Sequence, residues 1–142
     1  MLEIEEMLIE HERLRLKVYT CPAGKITIGV GRNLQDRGIT KNEVMLLLKN
    51  DITYFDFELK NRFPWFTELS RNRQNILIDM AFNLGIAGLL KFKKTLKYIE
   101  MCDYVSASQE MLKSKWAKQV GFRALELSEM LELDISFKES KF

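Results

Sequence analysis

HERLRLKVYTCPAGKITIG, residues 11–29, is where the chain changes period. Before it, Ile4, Met7, Leu8 and His11 recur at three- and four-residue spacing, the stripe of an amphipathic helix that ends near Glu12. From Leu14 the spacing falls to two. Leu14, Leu16 and Val18 alternate with Arg15, Lys17 and Tyr19, and Ile26, Ile28 and Val30 alternate with Lys25, Thr27 and Gly29. Two short strands follow, joined at Cys21-Pro22-Ala23-Gly24, where proline presets φ at the second turn position and glycine takes the fourth. The stretch therefore predicts a hairpin directly after a helix, with Glu12 at the junction.

Beyond the hairpin, GVGRNLQDRGIT spaces Gly29, Gly31 and Gly38 through another extended segment and a loop. Thr40-Lys41-Asn42-Glu43 has the pattern of a capping box, and Val44 to Leu48, Ile52, Phe55 and Leu59 continue it as a long helix that Pro64 stops. Ser70 caps a further helix, whose Ile76, Leu77, Met80, Ala81 and Leu84 form an apolar face before a C-terminal cap at Gly85. Shorter helical pieces follow over 87–92, 94–101, 104–114 and 122–131, punctuated by Gly88, Asp103 and Gly121. The class is α+β: a small β-hairpin lobe, about residues 14–39, is inserted between a first helix and a helical bundle. The helical lobe takes residues 1–13 and 40–133, and the weakly patterned tail over 134–142 is expected to fray.

A chain of 142 residues is long enough for one domain and short for two. With 46% hydrophobic and 30% charged residues it has the composition of a globular protein, not a disordered or fibrous one. Twenty-two basic against 20 acidic residues leave a charge of +2, too little for nucleic acid as main partner, yet compatible with an anionic polymer such as cell wall. Cys21 and Cys102 are far apart and read as free thiols. One histidine and no ligand cluster leave nothing to hold a metal, and no cofactor is expected. The amino terminus is acidic where an export signal would be basic, and no apolar run approaches the ~20 residues of a membrane span. Neither a signal peptide nor stable membrane insertion is expected.

Hydrolysis of a glycosidic bond asks for an acid that protonates the leaving oxygen and a group that positions or deprotonates water on the other face of the sugar. A glutamate at a helix end facing a hairpin, held partly away from water at a junction between lobes, favours its protonated form, which makes Glu12 the natural acid. Alternation sets Thr27 opposite Ile26 and Ile28, so if those aliphatics bury, its hydroxyl looks outward and can orient water. Cys21, at the start of the turn, can accept a hydrogen bond from that water. Each residue also has a plain structural alternative: a solvated helix terminus, a strand-forming threonine, a small turn residue. Spacing alone does not decide between the readings.

Glu12 to Tyr19, then Gly24, then Thr27-Ile28-Gly29-Val30-Gly31 resemble the signature of the phage-type lysozymes, glycoside hydrolase family 24. That family has a glutamate, eight residues, an aspartate or cysteine, five residues and a threonine, and Glu12, Cys21 and Thr27 stand at those intervals. The likeness continues more weakly. Asp79 to Gly85 resembles the family's cleft-floor helix, and Ser114-Lys115-Trp116 with Arg123 resembles a later segment. It implies a lysozyme-like fold with a cleft between the lobes, Arg123 paired with Glu12, and Asn83 meeting Trp116 at the cleft base, with Phe82 counted among the substrate-binding or supporting residues. Arg13 departs from the pattern, since glycine commonly follows the glutamate, and the family pattern gives His11 no role, so it is read as structural.

The resemblance implies an inverting muramidase that cleaves the β-1,4 bond between N-acetylmuramic acid and N-acetylglucosamine. It further implies a monomeric endolysin that stays in the host cytoplasm until a holin opens the membrane, and then reaches the periplasm and wall. The alternatives are a lytic transglycosylase of similar fold, a noncatalytic wall-binding module, and a membrane-disrupting protein acting through amphipathic helices such as 93–101. The thiol is open to three roles: activating water, orienting it, or attacking the sugar to form a glycosyl-thioether.

Overall fold

A computed structural model of the protein describes residues 1–140; the end of the tail, residues 141 and 142, lies outside the described residues. The chain divides into two compact units, one over Met1–Leu48 and one from Lys49 onward. Residues 1–13 fall in the same compact unit as the sheet.

The first unit begins with α1 (Glu3–Glu12), whose first turn carries Glu3, Glu5 and Glu6 at the positive end of the helix dipole. The helix ends at Arg13, which holds φ 66° and ψ 150°. This is backbone that only glycine adopts freely, and it gives a physical reason for the family's glycine at that place. β1 (Arg15–Thr20), β2 (Ile26–Gly29) and β3 (Arg32–Asn33) form an antiparallel sheet in chain order. The β1–β2 turn closes as expected, with the Gly24 N–H donating to the Cys21 carbonyl at 2.8 Å and the Cys21 N–H to Lys25 at 2.9 Å.

The hairpin does not keep the expected alternation: β1 is exposed except at Tyr19, its register against β2 slips between Arg15 and Tyr19, and the buried position of β2 is the polar one. Thr27 is 2% exposed, whereas Ile26 is 49% and Leu16 86% exposed. Tyr19 and Asn33 are the cross-strand partners of Thr27, so one polar face carries all three. Nor is the apolar stripe of α1 covered: Ile4, Met7 and Leu8 are exposed, as is His11, which packs into no core.

The capping box forms: the Thr40 N–H reaches Glu43 at 2.9 Å and the Glu43 N–H returns to the Thr40 hydroxyl at 3.2 Å, which starts α2 (Lys41–Arg62). Arg32 adds a fork onto Glu43, both contacts at 2.9 Å, and donates to the Gly38 carbonyl at 3.2 Å, so the loop after β3 is tied to the start of α2.

The second unit takes the rest of α2, a 3-10 turn over Pro64–Glu68, then α3 (Arg71–Leu90), α4 (Lys93–Glu100), α5 (Tyr104–Leu112), α6 (Lys115–Val120) and α7 (Phe122–Leu133). Ser70 caps α3 by accepting from the Arg73 N–H at 3.2 Å. Gly85, at φ 75° and ψ 163°, breaks α3 where the sequence predicted its end. The short α6 was not anticipated; Ser114 caps it by accepting from the Ala117 N–H. α7 packs on α3, α5 and α6, and α4 on α5, around a core that includes Leu59, Phe66, Ile76, Leu77, Met111 and Leu131. The start of the tail is anchored instead of frayed. Asp134 ends α7 in the left-handed region, Ser70 donates to its carboxylate, Asn72 donates to its carbonyl, and Arg73 pairs with it.

Among the described residues no single helix is long and apolar enough to cross a membrane.

Candidate active site

In the first unit, Glu12, Cys21 and Thr27 line one cavity of about 380 Å³. Each comes from a different local device. Glu12 is the last residue of α1, Cys21 opens the turn after β1, and Thr27 sits on the polar face of β2. A helix end, a turn and a strand thus bring together three residues spread over sixteen positions.

Glu12 is exposed, against the expectation of a carboxyl withdrawn from water, and its position is set by backbone shape instead of burial. A Cβ built on Gly31 would lie 3.1 Å from Glu12 Oε2 and 3.2 Å from its Cδ and Cγ. Gly31 has φ +69°, so the chain passes close to the carboxylate at a point where only glycine fits without strain. A glycine in a strand-to-strand connection was the available sequence signal for this contact.

Thr27 points into the cavity, and its hydroxyl lies 2.9 Å from the Lys25 carbonyl, to which it donates. Hydrogen bonding from the Lys25 backbone holds the Cys21 thiol below its ordinary value of 9.0, with further help from the Ala23 backbone and the Thr27 side chain, against partial desolvation. The thiol is free and partly exposed, so it is reachable from the cavity.

Arg15, Tyr19 and Asn33 complete the wall and were not singled out from the sequence. The Arg15 guanidinium lies 4.3 Å from the centre of the Tyr19 ring, a cation–π contact that props both side chains over the sheet. Asn33 is fixed by Asp36, donating to its carboxylate at 3.1 Å and accepting from its N–H at 2.9 Å. Their signal was the two-residue alternation, had its polar face been taken as the inner one.

The remaining named residues lie in the second unit. The Trp116 indole donates to Asn83 at 2.7 Å, and Trp116 is 5% exposed. Phe82 is 44% exposed, with its ring 5.5 Å from that of Phe55. Arg123 is held by Asp79, with Nε at 2.9 Å and Nη2 at 2.8 Å from the same carboxylate oxygen. Among the described residues no three His, Cys, Asp or Glu side chains are grouped as a metal site.

A family model described as phage lysozyme matches residues 9–129. The chain is 31% identical over 121 aligned positions to an endolysin of Acyrthosiphon pisum secondary endosymbiont phage 1, covering 82% of this chain and 80% of that protein. It is 25% identical over 159 positions to a Dictyostelium discoideum protein named "Probable T4-type lysozyme 1", covering 91% and 93%. It is also 27% identical to the pre-baseplate central spike protein Gp5 of Enterobacteria phage T4, of which the match spans 26% and this chain 87%.

Proposed function

The chain belongs to the phage lysozyme family, lysozyme-type glycosidases of the cell wall, and on that premise we propose that it cleaves the β-1,4 bond between N-acetylmuramic acid and N-acetylglucosamine in peptidoglycan. The observation that carries this reading is the single cavity onto which Glu12, Cys21 and Thr27 converge. Glu12 protonates the leaving glycosidic oxygen as the bond to the anomeric carbon breaks. A water held by Thr27 and Cys21 attacks that carbon from the opposite face, and the thiolate accepts the water's proton. The result is inversion. Arg123, Asn83, Trp116 and Phe82 are assigned to binding and support of the sugar chain.

The biological role we assign is that of an endolysin, working as a monomer, released to the wall when a holin opens the membrane. The test of the chemistry is product analysis. Digestion of purified peptidoglycan yields muropeptides with a free reducing end at N-acetylmuramic acid, formed as the α anomer. Anhydromuramyl ends identify a transglycosylase and refute the proposal, and a β anomer refutes the water-activating role of Cys21 in favour of a glycosyl-thioether.

A further inference from the structure

The cavity of Glu12, Cys21 and Thr27 has in its wall a polar side chain to which the reaction above assigns nothing, Asn33. It stands on β3 as the direct cross-strand partner of Thr27, so the two side chains leave the same face of the sheet with Cβ atoms about 4.5–5.5 Å apart. The Asn33 carboxamide has one orientation. Its Oδ1 accepts the Asp36 N–H at 2.9 Å, and its Nδ2 donates to the Asp36 carboxylate at 3.1 Å. Turning the amide over would set donor against donor and acceptor against acceptor.

Asp36 is exposed and does not line the cavity, yet it holds the wall at two points. The first is Asn33. The second is Lys25, whose ammonium group donates to the other Asp36 oxygen at 3.4 Å and whose carbonyl accepts the Cys21 N–H and the Thr27 hydroxyl, each at 2.9 Å. The Lys25 ion pair is open to solvent and therefore weak. The paired contacts with Asn33 are the stronger tie, and they are what fixes the direction of its amide.

Hydrogen-bond capacity decides what Asn33 can do there. A carboxamide nitrogen carries two hydrogens; Asp36 claims one, and among the described residues no other group claims the second. Thr27 gives its hydroxyl proton to the Lys25 carbonyl, which leaves its oxygen lone pairs as acceptors, and the Cys21 sulfur accepts as well. Two acceptors and one donor in one cavity wall are the complement of a water molecule that gives both hydrogens, receives one, and keeps its last lone pair for the anomeric carbon.

We propose that Asn33 is the third anchor of the attacking water, its free Nδ2 hydrogen donated to the water oxygen, and that Asp36 is the positioning residue that aims it. This rests on the hydrolytic reading given under Proposed function and adds a residue to it. As the new carbon–oxygen bond forms, the water's proton passes to the Cys21 sulfur, the bond to the leaving oxygen breaks, and that oxygen takes the proton of Glu12. Asn33 keeps both its hydrogens throughout. Two contacts leave a water free to turn about the line that joins them, and a third fixes the direction of its remaining lone pair. The contribution is therefore to kcat, through orientation, and not to the affinity for the sugar.

The test is steady-state hydrolysis of soluble, uncrosslinked glycan strands by the full chain, with kcat and KM read separately across pH. Asn33→Ala is expected to lower kcat about tenfold or more with KM within about twofold of wild type, and Asp36→Ala, which keeps the donor and loosens its aim, to lower kcat by less. The reciprocal swap, Asn33→Asp with Asp36→Asn, separates a donor from a clamp. It keeps both hydrogen bonds of the pair, since the amide and the backbone N–H of residue 36 both donate to the carboxylate of residue 33, but it leaves position 33 without an N–H for the cavity. Its melting temperature should stay close to wild type while kcat stays down about tenfold or more over the whole pH range. Wild-type kcat in the swap, equal kcat losses in Asn33→Ala and Asp36→Ala, or a loss in Asn33→Ala that falls on KM overturns the proposal. A β-anomeric or anhydromuramyl product from the wild type refutes the hydrolytic reading and this inference with it, whereas an α product with kcat indifferent to Asn33 refutes this inference alone.

Discussion

Gly31 gives the sharpest test of how the acid is positioned. Alanine there places a methyl 3.1–3.2 Å from three atoms of Glu12, where carbon contacts settle at about 3.5–4.0 Å. The flexible glutamate relieves this by swinging away, so its carboxyl moves by roughly 0.3–0.8 Å. A misplacement of about 1 Å costs on the order of 100-fold in rate, which scales to a loss of about tenfold for Gly31→Ala. Backbone strain must be separated from this effect, and Gly29 supplies the control. It has φ +70° against +69° for Gly31, but its added Cβ meets nothing within 4 Å. Both alanines bear about 1–2 kcal/mol of left-handed strain, partly offset by the lower entropy of the unfolded chain. They should melt alike. Release of reducing ends from purified peptidoglycan, normalised to folded protein, should fall about tenfold for Gly31→Ala and stay near wild type for Gly29→Ala. Equal losses in the two variants, or full activity in Gly31→Ala, refute the reasoning.

Three further outcomes follow from the same unit. Arg13→Gly removes strain of about 1–3 kcal/mol against an entropic cost of roughly 0.5–1 kcal/mol, so thermal unfolding should shift upward by a few degrees; an unchanged or lower midpoint contradicts the strained cap. The Glu43 carboxyl is pulled from its ordinary 4.5 to about 2, first by the hydrogen bond from Arg32 and then by the Thr40 backbone. Its contribution is therefore present above about pH 4.5 and lost as pH falls toward 2, and the stability lost between pH 6 and pH 3 should be smaller in Glu43→Gln than in wild type. The lowered thiol of Cys21 should react with iodoacetamide at a lower pH than a free cysteine with the ordinary value of 9.0, and its alkylation, like Cys21→Ser, should reduce turnover; full activity of the alkylated protein removes the thiol from the reaction.

Local signals were legible where the cause is local. The turn at Cys21, the capping box at Thr40, the cap at Ser70 and the break at Gly85 each depend on a few neighbouring residues, and each stands where the sequence placed it. The hairpin shows the limit. A period of two states that side chains alternate but not which face turns inward, and Thr27, not Ile26, is the buried one. Asp79, the partner that holds Arg123, is 44 residues away, beyond what spacing reveals. The strain at Arg13 and the approach of Gly31 to Glu12 are likewise backbone paths, visible as a residue type in the sequence but as a cause only in the structure. The spacing of Glu12, Cys21 and Thr27 was legible as a pattern; that the three line one cavity is a structural fact.

The central claim is that the carboxyl of Glu12 delivers the proton that breaks the glycosidic bond. Glu12→Gln keeps the shape of the side chain and removes the acid. Reducing-end release from purified peptidoglycan by this variant should drop on the order of 10²- to 10⁴-fold with its melting temperature preserved, and a variant that retains wild-type release contradicts the account.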